Sequence, residues 1–464
     1  MKRTILSKIR QDKILILLRK LLKDFEDVYL VGGAIRDYGL GFEPKEYDFA
    51  VKEPRKIAAF VSQKFEMNYF KLGKNLDNVY RIPIGEGGID FGALGNQTIE
   101  ENLGKRDFTI DSIAIDLASH KVYDPFGGFK DIKGRIIRIT GEEAFKNDPL
   151  RILKGYRLKC AFSELYFDRL TEKKIRENAH LLENVAPERI KMEISKILSS
   201  KKCLDVIAEM SSNDVLFTVF PLLIKLKDVP QSFPHKSDVL SHTFDMLKFL
   251  DENIDLTHIL SLWSNSSENI MKMRFAIVFH DAGKKDTFSE DRSGIHFHKH
   301  EKISARIAQK SLSKLRYSNK IIKDVVSLCE LHMRPLLLFK EKKCSITAKR
   351  RLIKESGDNF PLLILLSFID FSTMKRDEKE IVEYHSFCEE MFSLYQEVAK
   401  EIKAPPKLVD GLEAMEILQL KEKGPELGNA LKLLREQQID GNIKNKEEAV
   451  AFLKKYRKNI LDKK

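Results

Sequence analysis

The chain has 464 residues, 43% of them hydrophobic and 32% charged, and a formal net charge of +12. That length calls for several domains and that hydrophobic share is enough for real cores, while the basic excess suits a polyanionic partner such as RNA and argues against a small acidic metabolite. The five cysteines (Cys160, Cys203, Cys329, Cys344 and Cys388) show neither metal-ligand pairing nor disulfide-like spacing, and no apolar run reaches membrane length, which together read as a cytoplasmic protein with reduced thiols and no membrane partner.

In chain order, residues 1 to about 25 read as one amphipathic helix rather than a signal peptide, since Ile14-Leu-Ile-Leu-Leu is short and flanked by Asp12, Arg19 and Lys20. Residues 28–140 alternate short strands and turns, with strands expected at Val28–Val31, at Glu46–Val51, and at Val79–Ile84, Ile89–Phe91, Ile113–Asp116 and Ile136–Thr140. From Glu142 the pattern turns helical, and the patch Val229-Pro-Gln-Ser-Phe-Pro marks a boundary. Residues 235–380 are again helical and hold eight of the eleven histidines, and Ala404-Pro-Pro-Lys opens a last segment with a Lys-rich tail. The expected class is α+β: a small head (1–141), a helical neck and RNA-binding body (142–228), a histidine-rich metal domain (229–382) and a C-terminal helical tail (383–464).

The chemistry of the head begins at Gly32-Gly33, which ends a β-type run and leaves backbone N–H groups unhindered beside Arg36, a cradle suited to phosphate. Glu46 and Asp48 stand at i and i+2 of the next strand, so both carboxylates point to one face, as two-metal phosphoryl transfer requires. Alone, Glu-x-Asp would mark no more than a solvated surface; the glycines and the arginine raise it above that. Asp90, in Gly88-Ile-Asp-Phe, is a candidate third carboxylate. Lys105 and Arg106 suit a triphosphate and Asp107 a ribose hydroxyl. Asp124-Pro-Phe-Gly-Gly reads as a structural turn. Asp148, expected to N-cap a helix with Pro149 at its first position, and Arg151 fall on one helical face, where an acceptor and a donor fork complement the pairing edge of a cytosine or an adenine, although in isolation the pair reads as an N-cap and a surface salt bridge.

In order, Leu30-Val-Gly-Gly-Ala-Ile-Arg-Asp, Lys105-Arg-Asp-Phe-Thr-Ile, Asp124-Pro-Phe-Gly-Gly, Asp148-Pro-Leu-Arg-Ile-Leu and Pro187-Glu-Arg-Ile-Lys-Met-Glu resemble the motifs of class II tRNA nucleotidyltransferases and bacterial poly(A) polymerases. The resemblance implies a polymerase-β-like nucleotidyltransferase head in which Glu46 and Asp48 hold Mg²⁺, Gly32, Gly33 and Arg36 cradle triphosphate, Arg106 and Asp107 bind phosphate and ribose, and Asp148 and Arg151 select the base without a template. It also implies tRNA and CTP, with ATP a further candidate, as substrates. Three residues depart from the family pattern: Glu46 for the first Asp of Asp-x-Asp, Asn147 for a Glu, and Asp111 for an Asn. Full CCA-adding members carry a flexible loop after the third strand, and here Gly95–Gly104 spans that interval. The resemblance therefore favours CC addition, with a separate A-adding enzyme, over full CCA addition.

His242, His280-Asp281 and Asp370 form a set able to close around one divalent ion, and they resemble an HD-type metallophosphohydrolase domain, with His300 and His332 as second-metal or phosphate contacts. A poly(A) polymerase shares the head motifs but usually lacks an HD domain. An RNA-binding protein or hydrolase with an impaired head is the reading that Glu46 keeps open. The helix start at Gly424-Pro425 and the basic tail suit a tRNA-gripping body or ordinary helical packing equally.

Overall fold

The computed structural model describes residues 1–464 apart from 74–77, 202, 232–233, 236, 254–265, 293, 342–343, 404–407, 421–423, 440–441 and 462–464. The Ala404-Pro-Pro-Lys link, part of the 229–234 patch and the end of the tail thus lie outside the described residues. The chain divides into two compact units, Met1–Glu193 with Glu209–Val219, and Ile194–Ala208 with Phe220–Lys464, so that residues 142–228 are shared between them.

The first unit is organised on a sheet of β1 (Tyr29–Val31), β2 (Glu46–Val51), β3 (Phe70–Lys71), β4 (Tyr80–Ile84), β5 (Gly87–Ala93), β6 (Ala114–Asp116) and β7 (Val122–Tyr123), in the order β3-β4-β5-β2-β1-β6-β7. Only β2 and β5 run parallel. The period of two divides β2 cleanly. Tyr47, Phe49 and Val51 are buried, with Phe49 stacked on its register partner Phe91 at 5.4 Å, while Glu46 and Asp48 face the other way. The helix Pro54–Phe65 lies on β4 and β5 and buries Ile57, Ala58 and Val61. Ala50, on the carboxylate face, joins Tyr29, Val31, Leu94, Ile99, Leu103 and Ala114 in an apolar cluster, in which Val31 is the register partner of Asp48.

Two local readings need correction. The N-terminal run is two helices, Lys2–Gln11 and Lys13–Leu21, because Asp12 is extended and N-caps the second, accepting from Leu15 N–H at 2.8 Å. Its other carboxylate oxygen accepts from the hydroxyls of Tyr38 and Tyr47, which ties both helices to the sheet. Ile136–Thr140 is not a further strand of that sheet: Ile136–Ile137 pairs in parallel with Tyr166–Phe167, and Ile139 makes a single antiparallel bridge to Phe108.

The second unit is helical but for a hairpin, Phe288–Asp291 with Gly294–Phe297. Its centre is Phe360–Thr373, a helix apolar on every side and buried along most of its length, as expected of one enclosed by others. The helices Gly411–Leu418, Pro425–Ile439 and Lys446–Leu461 have their own apolar cluster around Ala414, Ala430, Ala449 and Leu453. Among the described residues, no helix is long and apolar enough to cross a membrane.

Candidate functional site

β1 delivers the chain to Gly32, whose φ of 73° lies in the left-handed region. A Cβ there would stand 2.6 Å from Arg106 Nη1, so the glycine both makes the turn and admits the guanidinium. Arg106 Nε–H is buried without an acceptor, a donor suited to an anion. Asp48 on β2 is the register partner of Asp90 on β5, and Glu46 that of Gly88, which gathers the three carboxylates on one sheet face beside the glycine turn. Burial pushes the Asp48 carboxyl up to about 6; Arg106 opposes the shift, and Asp90 and Glu46 add to it. Asp48 makes no hydrogen bond or ion pair among the described residues, whereas Arg81 Nε and Nη2 each donate to an oxygen of Asp90 at 2.7 Å and Nη2 reaches Glu46 at 3.0 Å. Sequence reasoning missed Arg81; its place opposite Asp90 depends on a strand register that no motif reports.

Arg36 is already engaged. It donates to Asp37 at 2.8 Å and Asp111 at 2.6 Å and lies over the ring of Phe162. Asp111, a departure from the family pattern, thus supplies a charge for that arginine. Asp124 accepts from Gly128 N–H at 2.6 Å and Phe129 N–H at 3.2 Å, the structural role expected for its turn.

Asp148 caps the turn that opens the helix, as expected: its backbone is extended, its Oδ1 accepts from Leu150 N–H at 3.3 Å and its C=O from Arg151 N–H at 3.1 Å, while the regular helix begins at Arg151. Their side chains part: Asp148 pairs with Arg189 at 2.9 Å, and Arg151 Nε lies 2.8 Å from Asp107, which Lys154 also meets at 2.7 Å. Lys154 carried no signal in the sequence beyond its charge, and Arg189 only its place in the Pro187-Glu-Arg-Ile motif, with no role attached. Lys105 offers its carbonyl to Arg151 Nη2 at 2.5 Å.

In the second unit the histidine set converges in two groups, His242, His280 and Asp370, and Asp281, His300 and His332, the potential ligand atoms of each group lying within 4.8 Å of one another. Three of these histidines use one local device. His280, His300 and His332 each place Nδ1 on the carbonyl three residues back, that of Ile277 at 2.8 Å, Phe297 at 2.9 Å and Cys329 at 2.7 Å. Donation there leaves Nε2 as the lone-pair atom, the arrangement that orients a metal-ligating imidazole. Nε2 of His280 is buried without a hydrogen-bond partner, and Nε2 atoms of His300 and His332 face each other at 3.2 Å, a pairing suited to a shared cation. Asp281 stands between the groups, 3.2 Å from His280 and 3.1 Å from His300, with Lys284 at 2.6 Å. Burial drives the His332 imidazole down to about 3, helped by the neighbouring histidines, so it stays neutral and able to ligate. His242 Nε2 is 2.9 Å from Asp370.

The poly(A) polymerase head domain matches residues 28–91 and 90–138, a probable RNA- and SrmB-binding site of polymerase A matches 166–226, and the HD domain matches 239–356. Fold and site thus define a nucleotidyltransferase head followed in the chain by an HD domain. A CC-adding tRNA nucleotidyltransferase of Thermus thermophilus is 30% identical over 92% of this chain and 93% of its own length. An A-adding tRNA nucleotidyltransferase of Deinococcus radiodurans is 26% identical over 92% of this chain and 95% of its own. Among solved structures, a CCA-adding enzyme in complex with CTP shares the fold with a TM-score of 0.65 at 19% identity, covering 97% of this chain and 96% of that one. The chain belongs to the tRNA nucleotidyltransferase and poly(A) polymerase family, and it is an enzyme of that class.

Proposed function

We propose that the protein adds C residues to the 3′ end of tRNA, leaving the terminal A to a separate enzyme. The observation that carries this is the interval between β5 and Arg106. It is filled by a short turn and the helix Ile99–Gly104, opened by a Thr98/Glu101 capping box and seated in the head's apolar cluster by Ile99 and Leu103, a packed segment in the place where full CCA-adding members carry a loop. The 30% identity to a CC-adding relative supports the same reading. On a tRNA lacking its 3′ end, CTP alone is expected to give two additions, ATP alone none, and both together no further extension; a terminal A added in the last reaction would make it a full CCA-adding enzyme.

In this reading Glu46, Asp48 and Asp90 hold Mg²⁺, which supplies charge stabilisation to phosphoryl transfer. The residues fit it: three carboxylates share one face, and Asp48 has no partner of its own. Arg106 and the backbone at Gly32-Gly33 orient the triphosphate, Asp107 the ribose, and Asp148 and Arg151 the base once they leave Arg189 and Asp107. Arg36 supports the glycine turn from beneath, its Nη2 lying 3.3 Å from where a Gly33 Cβ would be. The two histidine–aspartate groups fit a divalent metal, and we assign the HD domain a metal-dependent phosphohydrolase activity in a cytoplasmic protein.

A further inference from the structure

Arg81 is a cation beside the three carboxylates to which the proposed mechanism gives no role. It sits on β4 directly opposite Asp90 on β5, and its guanidinium takes both Asp90 oxygens in a fork at 2.7 and 2.7 Å. The same group crosses β5 to reach Glu46 on β2 at 3.0 Å. On the way the stem passes Gly88, the register partner of Glu46, where a Cβ would stand 3.4 Å from both Cγ and Cδ of Arg81, an ordinary contact distance. Two of the three carboxylates are therefore bridged by one fixed positive charge, while Asp48 beside them has no partner. Any cation that uses Asp90 meets the guanidinium's charge at the same two oxygens.

We propose that Arg81 is a positioning residue that acts as the resident counter-cation of the catalytic carboxylates, holding Asp90 and Glu46 in register until a divalent metal exchanges with it. The proposal rests on the reading above that Glu46, Asp48 and Asp90 hold the metal. A fork that neutralises the acids stabilises the metal-free head and competes with metal. Arg81 thereby sets how much metal the site requires, and keeps the acidic face from repelling itself between turnovers.

The test is thermal melting of the full chain against Mg²⁺ concentration, beside CTP incorporation over the same range. Asp48→Asn identifies the head's share of the response, since the HD domain also offers metal ligands. Arg81→Met is expected to melt lower than wild type in chelator, and to reach half-maximal head response at roughly 3- to 10-fold less Mg²⁺, because a charge-assisted competitor is gone. Arg81→Lys, a point charge without the fork, is expected between the two. If Arg81→Met lowers melting equally with and without Mg²⁺ and leaves the half-maximal concentration unchanged or raised, the exchange is wrong and the residue only builds the sheet. If Asp48→Asn responds to Mg²⁺ as wild type does, the metal reading itself fails, and this proposal with it.

Discussion

Asp48 shows what the site costs the fold. Its carboxyl is held near 6 against an ordinary 3.8, so between those values the folded protein keeps a proton that the unfolded chain has released. The stability tied to this group is full below 3.8 and is lost as pH rises through 6. In chelator, Asp48→Asn should therefore stabilise the head at pH 8 by on the order of 1–3 kcal/mol, with the gain vanishing toward pH 4, while nucleotide incorporation is lost. Melting curves across that pH range check it; a gain independent of pH would show that the charge is not the cause. Glu46 is the contrasting case. Its side chain is 58% exposed, and it spends its extra methylene on reaching Arg81.

Among the elements, the helix Ser267–Phe279 combines two tasks. Its C-terminal end presents His280, and its interior carries Arg274, a fully buried arginine paired with Asp251 at 2.6 Å. Arg274 also donates to the carbonyls of Leu198 at 2.7 Å, Lys201 at 2.9 Å and Ser200, while Asp251 accepts from Cys203 and Leu204 N–H at 2.6 and 2.7 Å. One ion pair thus satisfies the backbone between two helices where neither can continue. Arg274→Met leaves Asp251 buried without its countercharge and should cost about 3–5 kcal/mol, and replacing both partners by apolar residues should recover part of it. Denaturation of the single and double variants measures the difference. A helical arginine amid Met271, Phe275 and Ile277 was visible in the sequence, but nothing there tied it to Asp251.

For the whole molecule, the two candidate sites lie in different compact units and share no residue. His280→Ala should remove bound metal and phosphohydrolase activity, measured on a 2′,3′-cyclic phosphodiester, yet leave CTP incorporation within about twofold, as independent sites do. Equal hydrolysis by variant and wild type would withdraw the phosphohydrolase assignment.

What the sequence determined by itself was everything that depends on short range and fixed order. The glycine turn, the i and i+2 carboxylates, the His-Asp pair and the ordered motifs sufficed for the family, the α+β class and the HD domain, because each is local geometry or residue identity. Only the tertiary structure decided which charges meet. Strand register put Arg81 on Asp90, and chain return brought Asp111 to Arg36 and Arg189 to Asp148. The Asp148 cap, a local feature, was legible in advance, whereas its ion pair with Arg189 was not. Register and long-range closure follow from packing summed over whole faces, so no single stretch of residues carries them.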